Sequence, residues 1–171
     1  MVCFKLPKDS TCGNLYELIS AANGSHKPDA DSAIKDPIVL SYKSKTLATR
    51  DSITVLENQS AQITKGHFAM MGYLTSCVPL VAFSLDKKNL DTWVFHVVGG
   101  CSLNAGGTFW SHANGHYLAY LIASNSLVGY AESVQRLVSE YGFPPDRIII
   151  VYPEKSASDI WIYQNGDFFY F

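Results

Sequence analysis

The fold is decided by residues 72–98, which read GYLTSCVPLVAFSLDKKNLDTWVFHVV. Two apolar runs, residues 78–85 and 92–98, flank a polar segment, residues 86–91, that is typical of a turn. This pattern predicts two adjacent antiparallel strands. The hairpin would bring Cys77, at the start of the first strand, and His96, in the second strand, towards the same end of the pair.

A cysteine and a histidine at this spacing have two interpretations. A thiol becomes a useful nucleophile when a neighbouring base takes its proton, and an imidazole can do so. Free cysteine is also among the most buried residue types, and most buried cysteines are inert. Cys77 and His96 are therefore either a nucleophile and its base or core residues of a non-catalytic protein-binding or immunity-type module.

Composition restricts the class of protein. A chain of 171 residues with 47% apolar and 16% charged residues is typical of one ordered domain, predicted over residues 1–171. A net charge of −2 predicts no nucleic-acid partner, and the lack of a long apolar run predicts no membrane partner. No secretion signal is recognisable, so the four cysteines are predicted to be reduced and the protein cytoplasmic in the cell that makes it.

Hydrophobic periodicity predicts an α+β fold, a mostly antiparallel β-sheet or sandwich with a few packed helices. Helices are predicted at residues 15–22 and 126–141, the second followed by a glycine, Gly142, at its end. Strands are predicted at residues 37–42, 52–56, 67–74, 108–110, 116–122 and 146–152, and in a terminal hairpin formed by residues 160–163 and 168–171 around Asn165-Gly166. A helix is the alternative for residues 116–122.

A second cysteine–histidine pair competes with the first. Cys101 follows two glycines that would let backbone amides approach a substrate oxygen, and His112 follows the next turn. The segments predicted to form the strands of this second hairpin are shorter and more polar than those around Cys77 and His96. Cys101, His112 and His116 could also suggest zinc, but Gly115 and the lack of a fourth ligand argue against it. We therefore predict no metal and no cofactor.

The residues Tyr73-Leu74-Thr75-Ser76-Cys77, with Trp93-Val94-Phe95-His96 after the turn, resemble the motif of bacterial glutamine deamidases. This group includes the cytotoxic necrotizing factors, the Burkholderia lethal factor and the CheD chemoreceptor deamidases. The toxins carry Leu-x-Gly-Cys and a later catalytic histidine, and CheD proteins carry Gly-Ser-Cys-Val and a later His-Val, which resemble Ser76-Cys77-Val78 and His96-Val97.

The resemblance implies a deamidase-like fold and a cysteine hydrolase that converts glutamine into glutamate on a target protein, which a host cell could supply. Cys77 would be the nucleophile and His96 the base. It also implies a bacterial toxin or virulence effector that needs no cofactor and that enters a host cell, if it does so, by a route independent of a signal peptide. The sequence names neither the target protein, nor the secretion route, nor the oligomeric state.

The sequence departs from this motif at two positions. Ser76 stands where the toxins have glycine, and Met71 stands where several relatives have a catalytic threonine. The group that orients His96 would then be a backbone carbonyl or a residue that the sequence does not identify. Val98-Gly99-Gly100-Cys101 also fits the toxin motif loosely, so Cys101 and His112 remain an alternative pair, although we prefer Cys77 and His96.

Overall fold

The computed structural model describes residues 2–6, 8, 52–72, 74–84, 86, 88–100, 102–123, 130–152, 157–164 and 168–170. The helix predicted at residues 15–22, the strand predicted at residues 37–42 and the turn at Asn165-Gly166 lie outside these residues, as does Cys101. The single domain over residues 1–171 therefore stays a prediction.

Ten strands and two α-helices form the described part of the chain. The strands are β1 (Val2–Lys5), β2 (Ser52–Thr54), β3 (Ser60–Gln62), β4 (Phe68–Met71), β5 (Val78–Phe83), β6 (Thr92–Val97), β7 (Tyr117–Leu121), β8 (Ile148–Tyr152), β9 (Ile160–Tyr163) and β10 (Phe168–Tyr170). The helices are α1 (Gly107–Ala113) and α2 (Ala131–Ser139). The predicted α+β class is confirmed.

The strands form two sheets. The larger sheet has the order β1-β8-β7-β5-β6-β3, and the smaller sheet has the order β10-β9-β4-β2. Six of the eight described strand pairs are antiparallel, whereas β7 with β8 and β2 with β4 are parallel. Both sheets are therefore mixed, and the structure is a sandwich with a mostly antiparallel character.

The predicted pairing of the strands at residues 78–85 and 92–98 is confirmed by β5 and β6. Their register places Pro79 opposite His96 and Phe83 opposite Thr92. Every residue of β5 is buried, because the larger sheet is covered on both faces. Burying one large aliphatic side chain contributes about 1.5–3 kcal/mol, so this central pair is a main source of stability.

Alternation along the strands divides the core into two layers. Val78, Leu80 and Phe95 belong to the layer that α1 and α2 cover. Val81 and Val94, each adjacent in sequence to one of these residues, belong to the layer between the two sheets. The second layer is completed by side chains of the smaller sheet, namely Ala69, Met71, Ile160, Ile162 and Phe168.

Helix α2 lies within the predicted helix at residues 126–141, of which residues 126–129 are outside the described chain. Its buried face includes Val134 and Leu137, which follow the helical spacing of the sequence. Gly142 has φ +67°, and the N–H of Phe143 donates to the Leu137 carbonyl, so the glycine reverses the chain at the end of the helix as predicted.

The prediction of a strand at residues 108–110 is wrong, because these residues lie in α1. The two buried residues of α1, Phe109 and Ala113, are four positions apart, which is helical spacing. A Cβ atom on Gly106 would lie 2.5 Å from the Phe95 ring, so this glycine allows the chain to approach β6 closely where α1 begins. In the sequence, Gly106 and Gly107 instead indicate a turn.

The later strands agree with prediction. Residues 117–121 form β7, residues 148–152 form β8, and β9 pairs with β10 in an antiparallel hairpin. In the described residues, none of the helices has the length and apolar character needed to cross a membrane.

Candidate active site

His96 lies in β6 and is held by a backbone carbonyl. Its Nδ1 atom is 2.9 Å from the carbonyl oxygen of Val55, and the side chain is 2% exposed. A carbonyl oxygen can only accept, so Nδ1 carries the proton and Nε2 presents its lone pair. Nε2 is buried and has no hydrogen-bond partner among the residues that the structure describes. Nε2 is therefore the ring nitrogen that a base would use.

The loop between β2 and β3 fixes the backbone of His96 as well as its ring. The N–H of Asn58 donates to the His96 carbonyl at 2.8 Å, and the N–H of His96 donates to the Gln59 carbonyl at 3.0 Å. Asn58 has φ +61°, a left-handed conformation that asparagine tolerates better than most residues. This loop thus holds the histidine at three points, which restricts the direction of Nε2.

Cys77 lies on the same face of the larger sheet as His96. Pro79 is opposite His96 in the register, and side chains alternate along a strand, so Cys77 is a diagonal neighbour of His96 on the face turned to the smaller sheet. The cysteine is 4% exposed. No hydrogen bond joins its Sγ atom to Nε2 of His96, both of which belong to the described chain.

The Cys77 thiol has a carboxylate as its partner. Its Sγ atom donates to Oε1 of Glu57 at 3.7 Å, a long but acceptable distance for sulfur. Burial raises the pKa of the thiol, the backbone N–H of Gly99 opposes this by favouring the thiolate, and the Glu57 carboxylate raises the pKa further. The resting thiol is therefore protonated at neutral pH, and attack on a substrate requires a base.

A cleft of about 710 Å³ opens beside His96. Its walls come from the end of β2 and the loop that follows, the end of β4, and the residues around the start of β9. It is lined by Thr54, Val55, Leu56, Glu57, Gln59, Met70, Met71, Gly72, His96, Ser158, Asp159 and Trp161. His96 is on the wall of this cleft, whereas Cys77 lies behind the wall in the core. Of the two residues, His96 is therefore among those that line the cleft, and Cys77 is not.

Met71 occupies the position where a threonine was expected, and it is buried at the end of β4. The Val55 carbonyl can orient the His96 ring in place of a threonine, because it accepts a hydrogen bond from Nδ1. Sequence reasoning allowed for a backbone carbonyl but did not identify Val55. It also did not identify Glu57 and Asp159.

The alternative histidines have local partners. The His112 ring on α1 stacks on Trp93, with centroids 3.8 Å apart and planes 7° apart. Nε2 of His116 is 3.0 Å from Oδ2 of Asp91. Because Cys101 is outside the described residues, the pair of Cys101 and His112 stays an untested alternative. Within the described ranges, no group of three histidine, cysteine, aspartate or glutamate side chains could hold a metal ion.

No protein-family model matches this chain, and no curated protein shows a significant similarity to it. Support for a function therefore rests on the residues of the cleft and their geometry.

Proposed function

We propose that the protein is a cysteine-dependent protein-glutamine deamidase, with Cys77 as nucleophile and His96 as base. The supporting observation is the state of His96, a residue that lines the cleft: a backbone carbonyl holds Nδ1, while the buried Nε2 atom has no described partner. A buried nitrogen without a hydrogen bond costs about 1–3 kcal/mol. A site that receives a proton at this atom during a reaction explains why that cost is tolerated.

The reaction begins with transfer of the Cys77 thiol proton to Nε2 of His96, as Sγ attacks the carboxamide carbon of a glutamine side chain. The tetrahedral intermediate collapses as the imidazolium returns the proton to the leaving nitrogen, which departs as ammonia. Water, deprotonated by His96, then attacks the thioester and releases glutamate and the thiol. The Gly99 N–H, which already favours the thiolate, is a candidate donor to the oxyanion.

This chemistry requires the sulfur to reach His96. The register places the two residues as diagonal neighbours on one face, a separation that side-chain movement can close. Catalytic hydrogen bonds in ligand-free sites are often long and shorten when substrate binds. We therefore expect Sγ to leave Glu57 and approach Nε2 when the cleft is occupied.

The product of the proposed reaction carries a negative charge where a neutral amide stood. Such a change can disable a switch or an active site of the target by local electrostatics. In keeping with the resemblance in sequence, we propose that the protein is a bacterial toxin or virulence effector and that its target is another protein. Its cellular location, cytoplasmic in the producer or delivered to a host, belongs to this proposal.

The proposed function is tested by incubating candidate target proteins with the enzyme in heavy-oxygen water. A glutamine that is hydrolysed gains the heavy oxygen, so peptide mapping by mass spectrometry identifies both the reaction and the site. Cys77→Ser and His96→Ala should produce no labelled glutamate. Labelling that persists in both variants would rule out these two residues.

A non-catalytic binding module is the second candidate. It is favoured by the low exposure of Cys77, 4%, and by its position in the apolar layer between the sheets. In that case Cys77 and His96 contribute to packing in the core, and substituting either residue should lower the stability of the fold without affecting a reaction.

A further inference from the structure

The cleft beside His96 is acidic. Its described lining includes two carboxylates, Glu57 and Asp159, and no lysine or arginine. In the described part of the chain, neither carboxylate forms an ion pair with a cationic side chain. The cleft therefore offers two negative charges to a ligand, next to the apolar surfaces of Met70 and Trp161.

Glu57 has a second contact that Asp159 does not share. Its Oε1 atom accepts from the Cys77 thiol at 3.7 Å, while the residue itself is exposed in the cleft. The thiol proton thus points to a carboxylate, and Nε2 of His96 remains without a described partner. The Glu57 side chain therefore lines the cleft and also contacts the buried sulfur of Cys77.

We propose that Glu57 restrains the Cys77 thiol until a cationic side chain of the target binds in the cleft, so that the preferred glutamine has a lysine or arginine beside it. The ion pair between that cation and Glu57 takes the carboxylate away from the thiol, and the thiol proton then turns to Nε2 of His96. This inference rests on the proposed function for its reaction, but the restraint on the thiol can be measured without it.

The physical reason is competition for one carboxylate. A hydrogen bond from a neutral thiol is weak, whereas an ammonium or guanidinium group makes a charge-assisted hydrogen bond about twice as strong as a neutral one. Binding of the cation also places a positive charge near the sulfur, which favours its thiolate. Glu57 would therefore couple recognition of the target to activation of the nucleophile.

The first test measures the rate at which iodoacetamide alkylates Cys77 at neutral pH, with peptide mapping to separate this cysteine from the other three. Glu57→Gln removes the charge and keeps the shape, so alkylation should be roughly 3–10-fold faster, because the carboxylate no longer raises the pKa of the thiol. Asp159→Asn is the matched control, because it makes the same change in the same cleft without contact to Cys77. It should alter the rate less than twofold, or by about 0.4 kcal/mol.

The second test compares two short acetylated peptides that carry a glutamine followed by lysine or by norleucine, an apolar residue of similar length. Release of ammonia should be roughly tenfold faster from the lysine peptide with the wild-type protein, and Glu57→Gln should remove this preference. If the wild-type protein releases no ammonia from either peptide or from a whole target protein, the proposed function fails, and alkylation alone decides whether Glu57 restrains the thiol.

Two results would overturn the inference. Alkylation of Cys77 that is no faster in Glu57→Gln than in Asp159→Asn would show that Glu57 does not restrain the thiol. Equal turnover of the lysine and norleucine peptides by the wild-type protein would show that the cleft does not select a cation.

Discussion

His96 and His112 lie on opposite faces of the larger sheet and differ in what their surroundings permit. His96 is buried and lines the cleft, with Nδ1 bonded to the Val55 carbonyl and Nε2 buried without a described partner. His112 is exposed on α1, where its ring stacks flat against Trp93. Both follow a cysteine and a strand signal in the sequence. The spacing of a cysteine and a histidine in the sequence can thus suggest a base. Only the tertiary structure decides which groups surround each ring nitrogen of that histidine.

The largest expected effect comes from the cysteine. Cys77→Ser should reduce deamidation by about 10³-fold or more, because a serine hydroxyl is a poor nucleophile without a stronger base. The fold should survive with a stability change below about 1 kcal/mol, since the hydroxyl can donate to Glu57. Rates and melting curves should be measured on the same samples, with Cys101→Ser as the matched control that keeps its activity. Retained activity together with lost stability in Cys77→Ser would favour the core interpretation.

The two histidines can be compared directly. His96→Ala should lose nearly all activity and also destabilise the fold by about 1–3 kcal/mol, because the Val55 carbonyl loses its donor inside the protein. His112→Ala should keep its activity and cost about 1 kcal/mol at most, since it removes an exposed ring contact. Denaturant unfolding and steady-state rates measure both effects. Retained activity in His96→Ala together with lost activity in His112→Ala would instead favour the pair of Cys101 and His112.

Met71→Thr introduces the residue that the resemblance leads one to expect. Met71 is 1% exposed and packs in the layer between the sheets, so a smaller polar residue should lower stability by about 2–4 kcal/mol. Activity per folded molecule should not rise, because the Val55 carbonyl already takes the Nδ1 proton of His96. A faster enzyme with this substitution would show that the carbonyl is an incomplete substitute for threonine.

Alkaline pH should destabilise the protein partly through Cys77. Burial raises the pKa of this thiol in the folded state, so the folded chain keeps its proton at pH values where the unfolded chain has lost it. Stability should therefore begin to fall above the ordinary thiol pKa of about 8.5, by at most about 1.4 kcal/mol per pH unit, until the folded thiol also ionises.

Comparison of wild type with Cys77→Ser isolates this contribution. Burial also raises the pKa of Tyr163, whose alkaline effect remains in both proteins and begins at higher pH. Unfolding free energies measured from neutral to alkaline pH should diverge between the two proteins. Parallel curves would show that the thiol ionises equally in the folded and unfolded chains.

The smallest expected effect concerns His116, which is partly exposed. His116 pairs with Asp91 at 3.0 Å, but both side chains reach solvent, and such pairs contribute about 0–1 kcal/mol. His116→Ala should therefore change stability by less than about 1 kcal/mol and leave alkylation of Cys77 unchanged. A marked loss of activity would mean that the catalytic region extends to the helix-covered face of the larger sheet.

Much of the described fold follows from local patterns. The pairing of β5 with β6, helix α2 with Gly142 and the terminal hairpin all depend on residues close in sequence, and each was predicted. Helix α1 was missed because its glycines, Gly106 and Gly107, indicate a turn locally. The close approach of Gly106 to the Phe95 ring, which accounts for the glycine, becomes visible in the tertiary structure.

For the site, the sequence by itself determined that Cys77 and His96 lie on neighbouring strands, because an apolar run, a turn and a second apolar run impose that pairing. Only the tertiary structure decided which groups surround them. Val55 reaches His96 across 41 positions and Glu57 reaches Cys77 across 20. Contacts at such separations depend on how one loop crosses the sheet, and no local propensity encodes them. The proximity of Cys77 and His96 is thus a property of the hairpin, and the groups that surround them are a property of the fold.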